Sequence, residues 1–142
     1  MLIRPAEPGD EAAIARLIHE LASAAGETSP ITAGYVTEYL SNPGSHLLLV
    51  DQDGESIGLL SYSIRPDLYH AGPTALIEEL VVQASERGRG VGSALLSALF
   101  SELARQGVVE VSVTTMPDNQ RAKRFYQAHG LADEAIFLEK HL

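Results

Sequence analysis

Hydrophobic spacing divides the chain into segments of two periods. Ile14, Leu17, Ile18 and Leu21 follow the i, i+3, i+4, i+7 spacing of one helix face. Asp10 stands where an N-cap belongs, with Glu11 in the first turn, and the pattern fades through Ser23 towards Gly26. A weaker second helix is expected over Thr32 to Leu40, stopped by Ser41-Asn42-Pro43-Gly44. Val91, Leu95, Leu99 and Leu103 form the apolar stripe of a third helix, closed by Gly107. Ala122, Phe125, Tyr126 and His129 repeat the helical spacing in a fourth, with Asn119 as its cap and Gly130 as its stop.

Strand-like runs lie between these helices. Leu2 to Arg4 forms a short first strand. His46 to Val50 and Ser56 to Ile64 flank Asp51-Gln52-Asp53-Gly54, a hairpin turn by its Asp-Gly pair, and Gly58 marks a bulge position. Arg65 to Pro73 reads as a loop. The run from Ala75 to Val82 is apolar enough for burial on both faces, apart from Glu78 and Glu79. Val109, Val111 and Val113 alternate with Glu110, Ser112 and Thr114, the pattern of a half-exposed strand, and Glu134 to His141 reads as a final strand. The order β-α-α-β-β-β-α-β-α-β predicts a mixed α/β domain with one sheet covered by helices. With no repeat, low-complexity segment or linker, residues 1–142 are expected to form a single domain.

Composition narrows the chemistry. Apolar residues make up 45% and charged residues 20%, as in an ordinary globular protein. The absence of cysteine removes disulfides, thiolate metal sites and a cysteine nucleophile, and fits a cytoplasmic location. The opening MLIRPAEPGD lacks the apolar core of a signal peptide, and no run approaches the length of a membrane span. Ten Lys and Arg against 19 Asp and Glu give a net charge of −9, which disfavours nucleic acid as a partner. The same balance favours a cationic small substrate weakly, because solubility alone also accounts for it. His46, His70 and His129 are scattered without metal-ligand spacing, so no metal is expected.

The most informative stretch is Thr74 to Arg105: TALIEELVV, QASERGRGVG, SALLSALFSELAR. It reads as a strand, a glycine-rich loop and a helix start. Unpaired N–H groups and partial positive charge at the helix N-terminus suit a phosphate or pyrophosphate, and glycine lets such a group approach the backbone. Arg87 and Arg89 lie in the loop, and Arg121, Lys123 and Arg124 form a second basic group. A dinucleotide fingerprint needs a third glycine where this chain has Ser93, and no βαβ unit opens the protein. A phosphate loop of the nucleotidase type needs Gly-Lys-Ser/Thr, which Gly90-Val91-Gly92-Ser93 does not supply.

Arg87-Gly88-Arg89-Gly90-Val91-Gly92 resembles the [Q/R]-x-x-G-x-[G/A] motif of the GNAT superfamily of acetyl-CoA-dependent N-acetyltransferases. The opening IRPAEPGDEAAIARLI is similar to that family's first strand and helix, and IEELVV to its central strand. Asn119, Ala122, Phe125-Tyr126 and Gly130 resemble its N-x-x-A-x-x-F-Y-x-x-x-G segment, with Leu131 in place of the usual Phe. The resemblance covers nearly the whole chain.

What the resemblance implies is specific. Backbone N–H groups of Arg87, Gly88, Arg89, Gly90, Val91, Gly92 and Ser93 hold the pyrophosphate of acetyl-CoA, with Arg121 and Asn119 as further cofactor contacts. The segment Leu80, Val81, Val82 lies along the pantetheine arm, and the Leu80 N–H polarises the acetyl carbonyl, where negative charge grows. An alkyl amine is unprotonated in roughly one molecule in a thousand at neutral pH, so a base is needed. Strand parity puts Glu78 on one face with Leu76, Leu80 and Val82, making it the expected base, while Glu79 faces away. Tyr126 is the expected acid for the departing thiolate, against a purely structural place in the helix stripe. Tyr69 and His70, in the loop before the central strand, are expected to border the acceptor site. The expected reaction is direct attack by a primary amine of a small molecule. A protein lysine or N-terminal acceptor, and a non-catalytic acyl-CoA-binding module, stay open, as does a homodimer, which is common in the family.

Overall fold

The computed structural model describes residues 1–142. The chain runs β1 (Leu2–Pro5), α1 (Glu11–Ala24), α2 (Ala33–Ser41), β2 (Ser45–Gln52), β3 (Glu55–Asp67), β4 (Gly72–Val82), a 3₁₀ turn (Ala84–Glu86), α3 (Val91–Arg105), β5 (Glu110–Val113) and α4 (Gln120–Ala128). One sheet holds all the strands in the order β1-β2-β3-β4-β5. The first four pair antiparallel through short connections, and β5 returns parallel to β4 through the α3 crossover. The expected mixed α/β architecture is present.

The sheet carries a separate core on each face. Leu95, Leu96 and Leu99 of α3 are fully buried against Val50, Leu60 and Ile77. On the other face Ile14 and Leu17 of α1 and Val36 of α2 pack on Leu47, Leu49, Leu59 and Val81. The stripes read for α1 and α3 therefore supply the buried residues, while that of α4 is only half-buried. Removing a side chain such as Leu99 leaves a cavity and costs about 2–5 kcal/mol.

Local chemistry sets the boundaries. Asp53 (φ 51°) and Gly54 (φ 78°) make the left-handed turn of the β2–β3 hairpin. The expected loop Arg65–Pro73 is mostly strand: β3 and β4 stay paired out to Pro66 opposite Pro73 and Asp67 opposite Gly72, leaving only a tight tip. Near Gly58 the unpaired residue is its neighbour Ile57, because Val50 faces Gly58 while Asp51 faces Ser56. A Cβ at Gly58 would sit 3.1 Å from the Val81 carbonyl oxygen, so this glycine serves close approach of β4. Thr32 caps α2 by accepting from the Tyr35 N–H at 3.1 Å.

Two expectations fail. Asp10 occupies the N-cap position of α1 but its side chain does not cap the helix. Its carboxylate instead accepts two bonds from Arg4, at 2.8 and 2.9 Å, and one from the Glu7 N–H. A full guanidinium offers more to a carboxylate than one helix N–H. Nor does Glu134 to His141 form a strand. Residues 131–142 hold no regular structure, with Ile136, Phe137 and Leu138 exposed. The Leu131 N–H bonds the Tyr126 carbonyl and Lys123 pairs with Glu134 at 2.6 Å, so the start of this segment is tied to α4, and no part of it joins the sheet beside β5. A strand-prone run without a ladder partner does not become a strand.

Arg4 joins three elements, since its Nε also donates to Asp51 at 2.7 Å. Both carboxyls are held below the usual aspartate range, chiefly by Arg4. Replacing Arg4 with Met should lower the unfolding free energy by about 1–2 kcal/mol, discounted for partial exposure. Depressed folded-state values make this contribution complete above the unfolded aspartate pKa of about 3.9 and lost as pH falls through the lower folded values. The gap between parent and variant in urea unfolding should therefore close on acidification from pH 6 to pH 2.

Candidate active site

The site is set by two irregularities in β4. First, β5 pairs with β4 only from Thr74 to Ile77. Beyond Ile77 one edge of β4 has no neighbouring strand. Second, Ser61 of β3 faces Glu79 while Tyr62 faces Ile77, so Glu78 is an extra residue in β4. This is a β-bulge, and it breaks strand parity. Before it, Ala75 and Ile77 face α3; after it, Leu80 and Val82 do. Glu79 and Val81 face α1 and α2. Glu78 lines the same pocket as Glu79. The expectation that Glu79 turns away, and that Glu78 shares a face with Leu80 and Val82, is thus overturned by one inserted residue.

Both carboxylates open into a cavity of about 510 Å³ between α1, α2 and the sheet. Ile14, Ile18, Ile31, Val36 and Leu47 supply its apolar walls, and Tyr35 and Tyr39 its aromatic ones. Ser61, only 2% exposed, is bound to Glu79 twice: its hydroxyl donates to the Glu79 carboxylate at 2.7 Å and accepts from the Glu79 N–H at 2.9 Å. This fixes Glu79 at the pocket wall. Glu78 is an exposed residue of this lining, and its pKa is raised, first by partial desolvation and second by the negative charge of Glu79, with the Ser63 hydroxyl opposing both. The Tyr39 hydroxyl donates to the His46 carbonyl at 3.2 Å, and burial and the two carboxylates raise its pKa, so it stays neutral.

The anion cradle lies on the other side of the sheet. Gly88 (φ 77°) and Gly90 (φ 81°) both take the left-handed conformation, where a side chain costs roughly 1 kcal/mol. Gly90 is the N-cap of α3 and has no side-chain cap. The backbone N–H groups of residues 88–93 donate to no protein acceptor; the first helical bond at this end is Ala94 N–H to the Gly90 carbonyl. Gly92 allows close packing on α4, since a Cβ there would meet Phe125 at 3.2 Å. The charged side chains are less committed than expected. Arg89 pairs with Glu86 at 3.4 Å, and Arg87 donates from Nε to the Val82 carbonyl at 3.1 Å. Arg121 is exposed in the first turn of α4. Asn119 caps α4 by accepting from the Ala122 N–H at 3.1 Å.

The edge of β4 divides the expected backbone contacts. The Gln83 N–H donates to Ile57 of β3 at 2.7 Å. By antiparallel alternation Val81, opposite Leu59, also turns its main chain to β3, while Leu80 and Val82 turn theirs to the open edge. Val81 therefore drops out of the expected edge contacts, its side chain being core as well. Tyr126 packs in the α3 core beside Phe125, and burial alone pushes its hydroxyl up to about 12. Glu78 and Tyr126 thus lie on opposite faces of the sheet.

His70 is not in this arrangement. Its ring bonds Asp67 and, through Nε2, Glu110 at 3.1 Å, which raises its pKa and ties the hairpin tip to β5. Residues 64–68 and 71–73 border a separate hollow of about 590 Å³ at the hairpin, which neither Glu78 nor Glu79 lines. Sequence reasoning missed Glu79, Ser61, Tyr35 and Tyr39. Two consecutive glutamates inside an apolar strand were the available signal, because no alternating strand can bury its neighbours and expose both.

Uncapped N–H groups at the start of α3 on one face of the sheet, and a two-carboxylate pocket on the other, fit an acyl-transferring α/β domain. The chain belongs to the GNAT family of acetyltransferases: the family model described as "Acetyltransferase (GNAT) family" matches residues 13–131. It is 30% identical over 128 residues to the aminoalkylphosphonate N-acetyltransferase of Salmonella typhimurium, covering 90% of this chain and 82% of that protein. It is 29% identical over 151 residues to the L-2,4-diaminobutyric acid acetyltransferase of Nocardia farcinica, covering 99% and 75%. An aminoglycoside acetyltransferase from an uncultured soil metagenomic sample shares the fold, with a TM-score of 0.86, 18% identity and coverage of 99% and 94%. No helix is long and apolar enough to cross a membrane.

The bulge makes a direct prediction for titration. In carboxyl-detected NMR, Glu78 should titrate above the ordinary glutamate range. Glu79→Gln should lower that value without restoring it fully, because burial is the larger cause. An unshifted Glu78 would show that the two carboxylates do not share the pocket.

Proposed function

We propose that the protein transfers an acetyl group from acetyl-CoA to the primary amine of a small molecule by direct attack, with Glu78 as base and Tyr126 as acid. The observation that carries this reading is the open edge of β4 beyond Ile77, with a carboxylate of raised pKa on one face of the sheet and, packed on the α3 core on the other, a tyrosine that burial keeps protonated. Acetyl-CoA supplies the activated acyl group; the remaining work falls to the chain's own residues. The free N–H groups from Gly88 to Ser93 fit its pyrophosphate, with Arg121 and the amide nitrogen of Asn119 within the same end of the domain. The outward main chain of Leu80 and Val82 fits an extended amide-bearing arm, the Val82 carbonyl exchanging its bond from Arg87.

The proton balance follows. Glu78 takes one proton from the alkylammonium, leaving a lone pair on nitrogen. That nitrogen forms the new bond to the acyl carbon, and the carbon–sulfur bond breaks. The Leu80 N–H donates to the carbonyl oxygen while negative charge builds there. Tyr126 gives its proton to the leaving sulfur and is restored by the second proton lost from nitrogen. Glu78 returns the first proton to water. The net change is one amide, one thiol and one released proton.

The relatives named above act on amines that are small, and a walled cavity of about 510 Å³ supports a small acceptor here over a protein lysine or N-terminus. The titratable pair at its end supports turnover over silent acyl-CoA binding.

With acetyl-CoA and a panel of primary amines, free-thiol release should report turnover. Glu78→Gln should lower kcat by about 10²–10⁴-fold. It should also abolish the fall in kcat/KM seen as pH drops through the raised Glu78 value, because only the ionised carboxylate is a base. Tyr126→Phe should lower kcat with little change in KM. If both variants keep full activity, the roles are wrong. In calorimetry, Gly90→Glu should weaken acetyl-CoA binding at least tenfold by setting a negative charge at the cradle. Unchanged affinity there would remove the cofactor site.

A further inference from the structure

The acceptor pocket is asymmetric in charge, and this bears on which amine it takes. The inference rests on the acetyl-transfer reading of the same site. Among the residues that line the pocket the only charged ones are Glu78 and Glu79; no Lys, Arg or His contributes to it. Its other polar groups are the hydroxyls of Ser29, Ser61, Tyr35 and Tyr39. An acceptor with a phosphonate or carboxylate group would lose water there, meet two like charges and find no cation in return. This sets the pocket apart from the requirement that the name of the Salmonella relative implies, an amine joined to a phosphonate.

The two glutamates also differ in what they are free to do. Glu78 is the inserted residue, next to Ile77, where β5 leaves β4. It is the one beside the open edge. Glu79 is anchored: one carboxylate oxygen takes the Ser61 hydroxyl at 2.7 Å, and its own N–H is bound to the same hydroxyl. The second oxygen remains for a ligand. A carboxylate held against its pocket wall in this way is a poor proton shuttle and a good fixed counter-charge. Apolar walls from Ile14, Ile18 and Ile31 suit methylene groups between two charged ends.

We propose that the acceptor is an aliphatic diamine or polyamine, whose reacting nitrogen meets Glu78 while a second ammonium is held by Glu79. Glu79 is then a specificity-determining residue, and the bulge is the device that gives one pocket both a base and a counter-ion from adjacent positions.

The test compares 1,4-diaminobutane, butylamine and 2-aminoethylphosphonate as acceptors with saturating acetyl-CoA. The diamine should exceed butylamine in kcat/KM by at least tenfold and the phosphonate by at least a hundredfold. Glu79→Gln should shrink the diamine advantage over butylamine to within about threefold, through KM for the diamine more than through kcat, and Glu79→Asp should recover part of it. Ile18→Lys, which sets a cation in the wall without touching either glutamate, should weaken the diamine and improve the phosphonate, and it serves if Glu79→Gln does not fold. A preference for the phosphonate, or a diamine advantage untouched by both changes, overturns the diamine inference and leaves acetyl transfer standing. If acetyl-CoA binds but no amine releases thiol, both fall.

Discussion

Strand β4 loses one neighbour at Ile77 and gains one residue at Glu78, and the rest of the site depends on that coincidence. A central strand in a well-formed sheet has both edges saturated and alternates strictly between faces. Here the main chain of Leu80 and Val82 faces an edge that β5 has left. At the same point the bulge turns two successive carboxylates to one side. Neither feature alone makes a reaction site. An open edge with strict alternation would direct one glutamate into the α3 core, and a bulge in a fully paired strand would leave no room for an acyl group.

The sheet also separates two opposite electrostatic demands. The chain carries a net charge of −9, yet the acetyl-CoA of the proposed reaction is a polyanion. The N-terminal end of α3 solves this locally, with backbone dipoles and N–H groups that no side chain caps. On the opposite face, α1 and α2 close over the paired glutamates with apolar and tyrosine side chains. In the proposed reaction, cation and anion are received on different faces of the sheet and meet through the open edge of β4. The low-dielectric layer between them keeps the two fields from cancelling.

The fold was largely legible because its two cores are amphipathic helix stripes, and Leu95, Leu99, Ile14 and Leu17 lie where periodicity puts them. The cradle was legible for a related reason: glycines in positive φ and a helix start are local properties of Arg87 to Gly92. What failed was anything decided between distant segments. Asp10 looked like a cap until Arg4, itself tied to Asp51, took its carboxylate. The apolar run Ile136-Phe137-Leu138 looked like a strand, but β-pairing requires an edge that this segment does not reach. The pocket was missed in part for the same reason, since Tyr35, Tyr39 and Ser61 come together only through α2 and β3.

The bulge deserves weight beyond the two side chains it places, because it reconciles two halves of β4 that otherwise conflict. Ala75 and Ile77 at the start of the strand, and Leu80 and Val82 at its end, all belong to the α3 core. Their sequence spacing is odd across the middle, so with residue 78 in regular register one pair would be forced to the α1 face, and Val81 would enter the α3 core. Deleting the residue at 78 would instead restore strict alternation, with Ala75, Ile77, Leu80 and Val82 still facing α3, and would leave Glu79 as the one carboxylate that this strand gives the pocket. The carboxylate occupies a position that the hydrophobic pattern already required to be irregular. The irregularity is thus a consequence of the inserted residue that both halves of the core accommodate, and it is what brings two adjacent carboxylates to one pocket.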